Sequence, residues 1–171
     1  MPLVLDGNGD ITGLTTGALE AAAIGTGAIR QVVQGTTSTR TATTSTSLVN
    51  TNLTATITPT SSSSRIVVFG QTQLYTPNVG SAPIGMGLRR GNTLIWASAA
   101  DAGPLYYTFT SSPSSLASIM MVPFAYTDSP STTSPTTYTI AISSYNGSSV
   151  EDLGGATATR HTATIILMEI A

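Results

Sequence analysis

Along most of the chain, apolar residues and hydroxyl-bearing residues take turns. Leu53, Ala55 and Ile57 alternate with Thr54, Thr56 and Thr58, the period-two pattern of a strand with one wet face, and Pro59 stops it. Further strands are expected over residues 29–34, 65–75, 84–90, 93–98, 105–110, 116–122, 137–145 and 158–170. The first of these runs into a threonine-rich stretch, 36–47, and Arg90-Gly-Asn92 reads as a hairpin turn. Ser61 to Ser64 reads as a turn, and Ser129-Pro-Ser-Thr-Thr-Ser-Pro135 as an ordered loop between strand-like neighbours. Short strands separated by Gly, Pro and Ser turns predict an all-β fold, an antiparallel β-sandwich of jelly-roll type.

The last segment breaks the alternation. Ile165, Ile166, Leu167 and Met168 are consecutive and apolar, followed by Glu169 and Ile170. A strand with one wet face should alternate, so both faces of this one are expected to be covered, in a central position or between subunits. Residues 165–170 are therefore the candidate closing strand of the core or of a trimer. Glu169 inside such a strand needs a partner. A structural salt bridge is expected, with Arg89, Arg90 and Arg160 as candidates.

Residues 1–28 differ from the rest. Leu3, Val4 and Leu5 and then Ile11 and Leu14 flank Asp6-Gly-Asn-Gly-Asp10, whose Asp-Gly and Asn-Gly steps suit a tight hairpin. Residues 16–24, with Leu19 and Ile24, carry the single helical signal, and Gly25 and Gly27 end it. Two turns of helix and a small hairpin cannot bury a core. Residues 1–28 are thus expected to be an arm that packs on another protein, and 29–171 a β-sandwich knob.

Composition sharpens this picture. Only 8% of the residues are charged, against about a quarter in an ordinary domain. Lysine is absent, and the net charge is −2. No basic patch can follow a phosphate backbone, so nucleic acid is not an expected partner. No stretch approaches a membrane span, and the N-terminus lacks the pattern of a signal peptide, so neither membrane insertion nor secretory export is expected. Cysteine is absent, which removes disulfides and thiolate chemistry together. Stability must come from packing or oligomerisation. Few charges and many hydroxyls suit a chain whose faces are hidden in an assembly.

Candidate chemistry is sparse. Asp6, Asn8 and Asp10 match the first half of a calcium-loop pattern, but Ile11 and Gly17 stand where it needs glycine and a bidentate glutamate. A plain turn fits better, and no metal or other cofactor is expected. His161, the single histidine, lies mid-strand without a G-x-S-x-G elbow elsewhere, so a surface or interface role is expected. On a three-fold axis it would make assembly pH-sensitive. Glu151 and Asp152, with Asp101 or Asp128, could form a glycosidase pair, but their Gly/Ser-rich surroundings suggest solvated loop acids. Trp96, Tyr106, Tyr107 and Phe109 form the densest aromatic group, expected in the core or at a subunit interface. No catalytic residue is assigned.

The opening MPLVLDGNGDITGL, the run VVQGTTSTRTATTSTSLVNTNLTATITPTSSSSRIVV, the segment GLRRGNTLI and the ending TATIILMEIA resemble phage tail-fibre-type and virion decoration proteins with a β-sandwich knob. The resemblance spans nearly the whole chain, and its motifs are structural. It implies a non-enzymatic homotrimeric virion protein, docked on a tail or major capsid protein through Leu3, Val4, Leu5, Ile11, Leu14, Leu19 and Ile24. A short tail fibre or receptor-binding knob is expected first, and a capsid decoration (cement) protein at three-fold sites is the alternative. In a receptor-binding knob, distal loops carrying Asn78, Tyr106, Tyr107, Tyr145 and Asn146 would contact a host surface glycan or receptor. The sequence departs from a fibre in one respect: no stalk separates the arm from the knob.

Overall fold

A computed structural model describes residues 4–5, 11–12, 27–76, 84–98, 118–144, 147, 149–152 and 162–171. Within them the chain forms only strands: β1 (Val4–Leu5), β2 (Ile11–Thr12), β3 (Ile29–Thr37), β4 (Thr41–Thr43), β5 (Val49–Ile57), β6 (Arg65–Thr76), β7 (Ile84–Arg90), β8 (Thr93–Ala97), β9 (Ser118–Asp128), β10 (Thr136–Ser144), β11 (Val150–Asp152) and β12 (Ala163–Ile170). The fold is an antiparallel β-sandwich. One sheet has the order β5-β10-β7-β8. The other runs β3-β12-β6-β11-β4, with β9 on the free side of β6. Successive strands cross repeatedly between the two sheets, the winding expected of a jelly roll.

The expected N-terminal hairpin is present as β1 paired with β2, Val4 opposite Thr12 and Leu5 opposite Ile11. The helix expected over 16–24, with Leu3, Leu14, Leu19 and Ile24, lies outside the described residues. Backbone bonds between the body and its last residue begin at Gly27, whose N–H donates to Ala171 O at 3.0 Å.

The alternation in β5 does what it predicts. Leu53, Ala55 and Ile57 are buried, and the intervening threonines are exposed. Opposite them, β6 and β12 contribute Ile66, Val68, Leu74, Ile165 and Leu167. At one side the two sheets come together, because β3 lies directly against β5. Gly35 permits this: a Cβ there would strike the Thr54 carbonyl and sit 3.0 Å from the Ala55 Cβ. The absent side chain lets the two backbones approach.

Three short-range expectations need correction. Residues 118–128 form one strand, although Pro123 and the stop expected at Val122 suggested two pieces. Among the described residues β9 pairs only with β6, which puts Pro123 on an edge, where a missing N–H leaves no ladder bond unmade. Residues 41–43, inside the threonine-rich run, form β4, which pairs with β11. β11 itself holds Glu151 and Asp152, which are buried on a strand and are not solvated loop acids.

Candidate functional site

The described residues hold two features beyond a bare sandwich core: buried carboxylates and an apolar outer face.

Four of the chain's eight acidic residues are buried: Asp128, Glu151, Asp152 and Glu169. Ile66 lies opposite both Glu169 and Asp128, and Glu169 lies opposite Gln31. One cross-strand row of the larger sheet therefore reads Gln31, Glu169, Ile66, Asp128, and it closes one end of the core with polar groups. The loop after β5 answers this row. The Thr60 backbone N–H and hydroxyl each donate to Glu169 Oε1 at 2.7 Å, and the Gln31 amide donates to Oε2. Burial pushes the Glu169 carboxyl up. The hydrogen bonds from Gln31 and Thr60, with the nearby Ser64 hydroxyl, outweigh it and bring the carboxyl down to about 2.

This corrects the expected salt bridge of Glu169 for Arg89 and Arg90. Among the described residues its hydrogen-bond partners are neutral donors. Arg90 goes instead to Asp128, with Nη1 at 3.0 Å from both carboxylate oxygens, and Arg89 Nη2 donates to the Leu48 carbonyl at 3.1 Å. Arg160 lies outside the described residues.

The Tyr138 hydroxyl donates to Asp128 Oδ2 at 2.7 Å, joining β10 and β9 across the sandwich. Burial, then the adjoining Asp128 carboxylate, holds this hydroxyl far above the ordinary tyrosine range, against the opposing pull of Arg90. Tyr138→Phe removes one of Asp128's donors and leaves the arginine. A loss of about 1–2 kcal/mol in urea unfolding is expected. An unchanged midpoint would show that the hydroxyl adds nothing to the clamp.

At the opposite end, Thr72 Oγ1 donates to Asp152 Oδ1 at 2.5 Å, and Arg40 pairs with Glu151. The glycosidase pair is not assembled from these acids. Asp128 lies opposite Ile66 and Asp152 opposite Leu74, eight residues further along β6. That is roughly 26 Å at about 3.3 Å per residue, beyond the carboxyl spacing such enzymes use. Asp101 lies outside the described residues.

The second feature is the outer face of the larger sheet. β12 is central, between β3 and β6, as expected. Its two faces differ, however. Ile165, Leu167 and Glu169 point into the core, while Ile166, Met168 and Ile170 point outward and are only half-buried. The described chain thus covers one face of this strand, not both. Across neighbouring strands the outward rows continue as Val32, Met168, Val67 and as Ile166, Phe69, Ala125. Val32, Ile119 and Met121 are 57%, 51% and 45% exposed. A shallow depression of about 300 Å³ is lined by Phe69, Gly70, Gln71, Thr164 and Ile166.

The smaller sheet makes the contrast. β10 is buried on both faces, with Tyr138, Ile140 and Ile142 inward and Thr139, Ala141 and Ser143 outward. Leu48 and Leu94 cover the neighbouring outer surface at Gly87. Small outward side chains on β10 were the signal for this cover.

Among the remaining expected site residues, Val4, Leu5 and Ile11 fall in the β1–β2 hairpin. Trp96 packs partly buried against the core. Asn78, Tyr106, Tyr107, Phe109, Tyr145, Asn146, His161, Asp6 and Asp10 lie outside the described residues.

No protein-family model matches the chain, and no curated protein does either. Among solved structures, the VP2 protein of infectious bursal disease virus is similar at low identity. A point mutant of it in derived T=1 particles is 15% identical, with a TM-score of 0.42 over 82% of this chain and 36% of that one. A VP2 subviral particle gives 12% identity and a TM-score of 0.41, covering 82% of this chain and 37% of that one. The Gx strain structure gives 17% and 0.39, covering 84% of this chain and 39% of that one. The chain thus spans well under half the length of each.

Proposed function

We propose that this chain is a non-enzymatic structural protein of a bacteriophage virion, a homotrimeric β-sandwich knob docked on the particle through its N-terminal arm. The observation that carries the reading is the pairing of a carboxylate-locked sandwich with a sheet whose outer face the described chain leaves apolar. Such a body is built to sit against other protein. The low charge, the absence of cysteine and the motif resemblance over nearly the whole sequence support the same reading.

The position on the particle is a short tail fibre or receptor-binding knob. Decoration of the capsid at three-fold sites is the second reading. It is favoured by one observation: β3 starts at Ile29, directly after the arm, with no stalk. The arm assignment is tested by deleting residues 1–26, which spares the Gly27 and Ala28 bonds to Ala171. The truncated chain is expected to keep its melting transition and to disappear from purified particles. Normal incorporation of the truncated chain would refute docking through the arm. Copy number per particle, by quantitative mass spectrometry against the major coat protein, separates the positions. A few to a few dozen copies mean a tail, and hundreds mean the capsid lattice.

A further inference from the structure

We infer that the outer face of the β3-β12-β6-β9 layer is the surface on which a second copy of this chain packs. The inference gives the self-association in the reading above a location, and it holds whether or not the assembly sits on a particle.

The face has defined borders. Arg65 marks one end, and the Arg40–Glu151 ion pair marks the other. Between them the outward residues of β6 are Val67, Phe69, Gln71, Gln73 and Tyr75, none of them charged. The flanking strands add Val32, Ile166, Met168 and Met121. Four strands at about 4.8 Å and eight to ten residues at about 3.3 Å give a patch of roughly 20 by 30 Å. Two such patches amount to roughly 1,200 Å², enough for a specific interface. An exposed apolar patch of this size on a soluble chain marks an interaction site.

The chemistry favours a copy of the same chain as the occupant. The polar groups within the patch are glutamine amides and threonine hydroxyls, which both donate and accept. Copies of the surface can therefore satisfy one another's groups, and three such faces turned toward a common axis give the trimer of the proposed function. A partner recognised by charge would find nothing to pair with between the borders. A membrane surface would find, between the borders, none of the lysines and arginines that draw a protein to anionic lipid.

The test uses the full chain with Val32→Glu and Met121→Glu, singly and together. Val32 and Met121 are 57% and 45% exposed, so either substitution removes little packing within one chain. Light scattering coupled to gel filtration is run at tens of micromolar, with Thr133→Arg in an exposed loop as control. The wild type and the control are expected to run as multiples of 17.4 kDa. The double variant is expected at one chain mass with its far-ultraviolet strand signal intact, its association weakened at least a hundredfold. A double variant that keeps the wild-type mass would overturn the inference, since association would then run through another surface. A monomeric wild type would overturn it too. If, with the wild type monomeric, Val32→Glu fails to enter particles, the occupant is another virion protein. If the wild type's outer strands are instead protected from hydrogen exchange, the occupant is the chain's own arm. Loss of the strand signal in the variants would also overturn it, because the face would then be packed within the chain. Mass is read on purified protein and incorporation on particles, so this inference and the proposed function fail separately.

Discussion

Glu169→Leu is expected to destabilise the sandwich by about 3 kcal/mol, although leucine suits the apolar strand around it. The Thr60 N–H, the Thr60 hydroxyl and the Gln31 amide all end on this carboxylate. Removing one partner of a buried hydrogen bond costs the desolvation of the group left behind, about 1–3 kcal/mol each, and part of that is recovered by burying leucine. Glu169→Gln keeps one acceptor oxygen and is expected to cost about half as much. Urea unfolding of both variants checks the order. A Leu variant as stable as wild type would show that the three donors find water or other acceptors without strain.

The same carboxylate sets a pH dependence of known sign. Its folded value, about 2, lies below the ordinary 4.5. The stabilisation is therefore complete above about 4.5 and is lost as pH falls toward 2. The full shift corresponds to about 3 kcal/mol, of which about 2 kcal/mol is lost between pH 6 and pH 3. Melting temperatures between pH 6 and pH 3 should fall less steeply in Glu169→Gln than in wild type. Parallel slopes would remove Glu169 from the acid response.

How far the sequence can be read depends on the range of the interaction. The β5 alternation and the Arg90-Gly-Asn92 turn are local patterns, and the strands and the hairpin follow them. Pro123 misleads because a proline inside a run usually ends it; only the edge position of β9, a tertiary fact, removes the penalty. Glu151 and Asp152 resemble loop acids because their neighbours are Gly and Ser. Their burial comes from Arg40 and Thr72, which are 111 and 80 residues away. Glu169 is the instructive case. That it needs a partner is legible from the apolar strand around it. That the partners are Gln31 and Thr60, 138 and 109 residues distant, is not, because neutral donors leave no charge pattern to match. The run from Ile165 to Met168 announces two apolar faces. The core takes one of them, and the described chain leaves the other half-buried.

Gly35→Ala is expected to be among the most damaging single methyls that can be added to the described body, together with Gly70→Ala, whose Cβ would enter the Thr164 carbonyl. A Cβ at this position enters the Thr54 backbone carbonyl, and a rigid backbone atom cannot rotate away as the tip of a side chain can. Either β3 moves off β5, opening the side of the sandwich, or the β3–β12 ladder shifts beside Ile165, which lies opposite Gly35. Overpacking of this kind costs about 1–3 kcal/mol and occasionally more, and the backbone contact places this site at the upper end. For a chain of this length, about 3 kcal/mol lowers the melting temperature by roughly 6–12 °C. Gly27→Ala supplies the comparison. That residue has φ +93° and nothing within 4 Å of a Cβ, so alanine there costs backbone strain alone, about 1 kcal/mol. The two substitutions add the same atoms, one into a neighbouring strand and one into open space. A Gly35→Ala melt no lower than that of Gly27→Ala would mean that the sheets tolerate separation at β3 and β5. The close approach of the two backbones would then not be what closes the sandwich on that side.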